Sequence, residues 1–103
     1  PLTGASRRYE LTLMRDVEPG QNWGVTAGTG GPTQPAVKNG WMPDGPLGLW
    51  VINSIGVVTH KGQRLLVAVL SSGQPSEQAG ISQVEAAARA AAAAIIRPSC
   101  PHR

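Results

Sequence analysis

LWVINSIGVVTHKGQRLLVAVLSS, residues 49 to 72, decides the fold. Leu49 to Thr59 is a β-branched, strand-forming run, and Arg64 to Ser72 is a second one. Between them His60-Lys61-Gly62-Gln63 makes a tight loop in which Gly62 is free to take a positive φ, so the second run returns as the antiparallel partner of the first. Sorted by a period of two, Trp50, Ile52, Ser54 and Val58 share one face of the first strand, and Val51, Asn53, Ile55 and Val57 share the other. In the second strand Leu65, Val67 and Val69 oppose Leu66, Ala68 and Leu70. Both faces are largely apolar, which predicts a sheet covered on both sides.

Upstream, Pro35 to Trp41 reads as a third, short strand, and Met42 to Gly48, punctuated by Pro43, Gly45, Pro46 and Gly48, as the turn that joins it to the hairpin. Leu13, Met14 and Val17 recur at helical spacing within Arg7 to Glu18, with Thr3 or Ser6 as the cap and Pro19-Gly20 as the stop. Downstream, Gly73-Gln74-Pro75 ends the last strand. Ser82 with Glu85 forms a capping box for a helix to about Ile96, with a first turn around Ser76 to Ala79 ahead of it. Ile81, Val84, Ala88, Ala91 and Ile95 mark its apolar face, and Glu85 and Arg89 are spaced to pair on the other. Its alanine-rich stretch, 86 to 94, offers side chains small enough for the helix axis to approach a sheet closely. The expected architecture is α+β, an α/β sandwich with a three-stranded antiparallel sheet flanked by helices.

The chain has 103 residues, enough for one domain with a modest core. Residues 1–97 are assigned to that domain and 98–103, Pro-Ser-Cys-Pro-His-Arg, to a disordered tail. Phe is absent and Tyr occurs once, so the core must come from aliphatic residues, alanine and three tryptophans. Leu65 to Leu70 falls at a sheet edge with its ladder groups unpaired, an aggregation hazard that proteins normally pair or cover. A partner from upstream is therefore expected, and a first residue of Pro1 rather than Met is read as a mature chain or an internal piece.

The net charge of +3 comes from nine basic and six acidic residues, with no basic run longer than Arg7-Arg8. Phosphate tracking needs basic residues gathered on one face, so no nucleic-acid partner is expected. Cys100 is the only cysteine, and with His102 it makes no closed metal site, so neither metal nor cofactor is expected. No stretch approaches the roughly twenty apolar residues of a membrane span, and no targeting signal is present. Gly28-Thr29-Gly30-Gly31 is not a phosphate loop, because Pro32 and Pro35 follow where a helix N-terminus should present its amides.

The chemistry gathers at AVKNGWMP, residues 36 to 43. A lysine on a strand edge beside a cleft offers a fixed positive charge to a substrate carboxylate and lowers the cost of deprotonating a nearby hydroxyl. Gly40 removes the side chain where a substrate must approach the backbone. The N–H of Trp41 is then placed to be one donor of an oxyanion hole.

From Tyr9 to Ile96 the chain resembles the C-terminal part of the class A-like serine β-lactamases and penicillin-recognising serine hydrolases. Lys38-Asn39-Gly40 is similar to their Lys-Thr/Ser-Gly motif, and Ile52 to Val58 and Leu65 to Ser71 look like the next two strands. Ser76-Glu77-Gln78 and the helix after it resemble the family's terminal helix. The resemblance implies a partial β-lactamase/transpeptidase-like fold and a small-molecule substrate, a β-lactam or a related amide or ester. It implies substrate binding by Lys38, Asn39 and Gly40, catalytic roles for Lys38 and the Trp41 backbone, and a secreted or cell-envelope location. The family usually has a hydroxyl at the position of Asn39 and a small residue at that of Trp41, so specificity departs here. No Ser-x-x-Lys occurs in the chain, so the nucleophile is expected from a missing N-terminal part and the isolated chain is expected to be inactive. The alternative is a non-catalytic, β-lactamase-like module that holds an anionic glycopeptide or partner.

Overall fold

The computed structural model describes residues 2–31 and 33–95. Helix α1 spans Gly4–Arg15, strands β1, β2 and β3 span Ala36–Asp44, Leu49–His60 and Gln63–Gln74, and helix α2 spans Glu77–Ile95. Two short 3-10 turns, Pro19–Gln21 and Val25–Gly28, lie in the connection between α1 and β1. The strands form one antiparallel sheet in the order β1-β2-β3. The fold is a small α+β arrangement, as the sequence pattern predicts. The proposed tail, 98–103, lies outside the described residues.

The hairpin turns at Lys61 and Gly62, whose φ values of 51° and 77° give the left-handed pair that matches the twist of the flanking strands. Near the other end of the hairpin the register shifts between Trp50 and Ile52, which pair with Gln74 and Ser71. The one extra residue in β3 forms a bulge, and Ser71 Oγ donates to Ile52 O at 2.7 Å beside it. Strand β1 continues to Asp44, three residues beyond the expected Trp41, with Pro43 opposite Trp50. Proline is tolerated there because β1 is an edge strand and its missing donor has no third strand to serve.

In both helices the earlier of the two expected starts is the one used. In α1 the Thr3 hydroxyl accepts from Ser6 N at 3.1 Å, and the helix stops at Arg15 instead of running on to Glu18. In α2 the cap is Ser76, whose Oγ accepts from Ala79 N at 3.0 Å, so Ser82 sits inside the helix. Of the two serines, the one that directly follows Pro75 sets the start.

The largest correction concerns coverage of the sheet. Its inward face, with Ile52, Ser54 and Val58 from β2 and Leu65 and Val67 from β3, is sealed by α2 and by the Val25–Gly28 turn. Ala88 and Ala92 are fully buried there, and a Cβ placed on Gly28 would lie 3.1 Å from the Ala88 carbonyl, so the small stripe of α2 admits this turn as well as the sheet. The outward face has no such layer: Leu66 is 82% exposed, Leu70 76% and Ile55 42%. Helix α1 contributes no buried residue and lies beside β1. Apolar alternation marks a face as able to be buried, and among the described residues it is α2 and the Val25–Gly28 turn that bury one.

The asymmetry predicts unequal costs for equal chemistry. Ile52→Ala should lower unfolding stability by about 2–4 kcal/mol, whereas Leu66→Ala should change it by no more than about 0.5 kcal/mol. Urea unfolding midpoints of the two variants at unchanged m-value check this.

Candidate functional site

Strand alternation divides the Lys38–Trp41 motif into two pairs. Lys38 and Gly40 stand on the outward face, in register with Ile55 and Asn53. They border an open depression of about 250 Å3 that Asn53 and Ile55 also line. A Cβ built on Gly40 would meet nothing within 4 Å. No packing inside the chain requires a glycine at that point, and the clearance faces solvent. Lys38 is exposed.

Asn39 and Trp41 point the other way. The Asn39 carboxamide donates both Nδ2 hydrogens to backbone carbonyls, Gln21 O at 2.9 Å and Trp23 O at 2.8 Å. Its Oδ1 is buried with no hydrogen-bond partner among the described residues. The expected substrate-binding side chain is thus already committed to holding the loop that precedes Val25. A hydroxyl, with a single hydrogen, could not bind two carbonyls at once, which gives a physical reason for asparagine at this position. Trp41 is 38% exposed, and its indole meets Trp23 edge to face, with centroids 5.6 Å apart and planes at 64°.

The loop that Asn39 holds is gripped from two further directions. Val25 N donates to Ser54 Oγ at 2.9 Å in the buried centre of β2, and Gly24 N donates to Glu85 Oε2 of α2 at 3.1 Å. Gly24 has φ 95°, and a Cβ there would run into the Ser54 hydroxyl, so both conformation and space demand glycine. Glu85 therefore faces this loop, in place of the expected capping box with Ser82 and pair with Arg89. Nothing in the sequence of α2 announces this, because the partner is a backbone amide 61 positions away. Ser54 carried a weak signal, as the polar member of an otherwise apolar strand face.

The glycine-rich stretch further on is used internally too. Thr29 N donates to Thr26 O at 3.0 Å, Gly30 N donates to Thr59 O at 2.8 Å, and the His60 ring lies 3.2 Å through Nδ1 from Gly28 O. Amides committed in this way do not form an anion cradle, in agreement with the reading of Gly28 to Gly31.

On the other flank of β1, a groove of about 420 Å3 runs between the strand and α1, with Glu10, Leu13 and Met14 on one wall and Val37 and Lys38 on the other. Glu10 has no part in the sequence-based site. Among the described residues no group of three or more His, Cys, Asp or Glu side chains is placed to hold a metal ion, and no helix is long and apolar enough to cross a membrane. No protein-family model, curated protein or solved structure matches the chain.

Two variants test the grip on the loop. Ser54→Ala strands a buried backbone N–H and should cost about 1–3 kcal/mol in denaturant unfolding. Asn39→Ala should diminish the near-ultraviolet circular dichroism of the Trp23–Trp41 pair while leaving the far-ultraviolet spectrum unchanged.

Proposed function

We propose that the chain is the C-terminal portion of a serine β-lactamase-like hydrolase, in which an upstream portion of the same domain supplies the nucleophile. The observation that carries this reading is the placement of Lys38 and Gly40. Both stand on an edge strand, on the sheet face that α2 does not cover, beside an open depression. A cation with clearance next to it suits a substrate carboxylate that must lie close to the strand. In this reading Lys38 binds that carboxylate and stabilises the ionised serine, Gly40 gives access, and the Trp41 N–H is one oxyanion donor. Asn39 acts from behind the strand by fixing Trp23 against Trp41, so its contribution to the substrate is made through the backbone.

The uncovered outward face and the unpaired edge of β3 support the same reading. Leu66, Leu70 and Ile55 are the surface against which the remainder of such a domain packs, and β3 is the edge to which its further strands pair. The substrate class is a β-lactam or a related amide or ester, and the location is the cell envelope or outside the cell. The full reaction is attack by the upstream serine on the substrate carbonyl, expulsion of the amine or alcohol with a proton, and hydrolysis of the acyl-enzyme by water. This chain contributes charge and positioning to those steps.

A second reading, a module that binds an anionic glycopeptide without turning it over, is favoured by one feature. The half-exposed Trp41 indole, edge to face with Trp23 on the side of β1 opposite Lys38 and Gly40, offers an aromatic surface beside the strand. The two separate on the full-length parent incubated with a covalent penicillin probe and a chromogenic β-lactam. The hydrolase reading expects a labelled serine and turnover, with Lys38→Ala lowering kcat/KM by about 10- to 100-fold. Binding without labelling or turnover would favour the module instead.

A further inference from the structure

The groove between α1 and β1 combines features that the reading of Lys38 alone does not use. Glu10 lies three and four positions before Leu13 and Met14, so one helix face presents a carboxylate above an apolar stripe. Val37 and Lys38 from β1 form the facing wall, and Val17 closes the end. Asn39 is the only residue of β1 whose side chain hydrogen-bonds among the described residues, so the Lys38 ammonium is uncommitted. The groove has a volume of about 420 Å3, within the range of small-molecule sites, and opens to solvent.

Charge complementarity then restricts the occupant. A ligand that brought only a carboxylate to Lys38 would place a like charge in the same groove as the exposed Glu10 and leave Glu10 without a partner. A ligand with an ammonium group as well satisfies both ends, and its aliphatic body is matched by Leu13 and Met14.

We infer that this groove binds a small zwitterion of dipeptide size, with its carboxylate on Lys38, its ammonium on Glu10 and an aliphatic side chain on the apolar floor. The inference rests on the carboxylate-binding role of Lys38 proposed above and adds to it a requirement for a free amine.

The test titrates the 103-residue chain with leucyl-alanine, N-acetyl-leucyl-alanine and leucyl-alanine amide, followed by amide chemical shifts in nitrogen-edited NMR spectra. Leucyl-alanine should bind most tightly and shift amides in both 10–17 and 37–39, with either capped form about five- to tenfold weaker. Glu10→Gln should abolish the preference for the free amine and keep that for the free carboxylate, and Lys38→Gln should do the reverse. Both side chains are exposed, so unchanged spectra elsewhere in the chain establish that the variants fold. Amine discrimination that survives Glu10→Gln, or no binding of any of the three probes, overturns the inference. A carboxylate preference through Lys38 without an amine preference overturns this inference alone. Amine-dependent binding together with a parent that never acylates overturns the hydrolase reading and leaves the groove.

Discussion

The hydrogen bond from Val25 N to Ser54 Oγ, 2.9 Å long and wholly buried, is the constraint on which the rest of the structure depends. Ser54 sits at the centre of the inward face of β2, where an unpaired hydroxyl would be costly. Satisfying it draws the segment Trp23 to Gly28 between the sheet and α2. Val25 then fills the core alongside Val37, Val58 and Ala88, and Gly24 presents its amide to Glu85. The same docking carries Trp23 over Trp41, with Asn39 holding the carbonyls behind it. One polar residue in an apolar strand thus links the sheet, the terminal helix and the flank of the candidate site.

This arrangement completes one side of the sheet and leaves the other open. Alanine at 88 and 92 lets both a helix and a turn share the inward face, where Ile81 and Val84 of α2 are buried as well. The outward face keeps Leu66 and Leu70 in water, next to the long free edge of β3. Exposed apolar surface of this kind marks an interaction face or an aggregation liability. The proposal of a hydrolase portion gives it a specific use, and places Lys38 on the side where the remaining layer would close over a substrate.

Sequence pattern alone made the hairpin, its turn and the α+β class legible, because a period of two bracketed by Lys61-Gly62 admits few alternatives. Lys38 and Gly40 were legible for a similar reason: their chemistry follows from residue type and strand position. Which sheet face would be covered was not, since Val51, Ile55, Leu66 and Leu70 are as apolar as residues that are buried. Ser82 and Glu85 have the spacing of a capping box without forming one, because the first turn at Ser76 to Ala79 is continuous with the helix and Glu85 is turned toward Gly24. Nothing in the sequence connects Glu10 with Lys38, because they line the same groove from a helix and a strand. Asn39 was read as facing a substrate because a motif does not reveal on which side of the strand a side chain finds its partners.

Native-state hydrogen exchange, resolved residue by residue, addresses the central constraint directly. If the Ser54 hydroxyl holds this segment against the sheet, the Val25 amide exchanges within about tenfold of the β2 amides and shares their denaturant dependence, although it lies in a loop. Exchange of Val25 at the rate of the open Gly45 to Gly48 turn would contradict the account, since the segment would then be lying on a core that is complete without it.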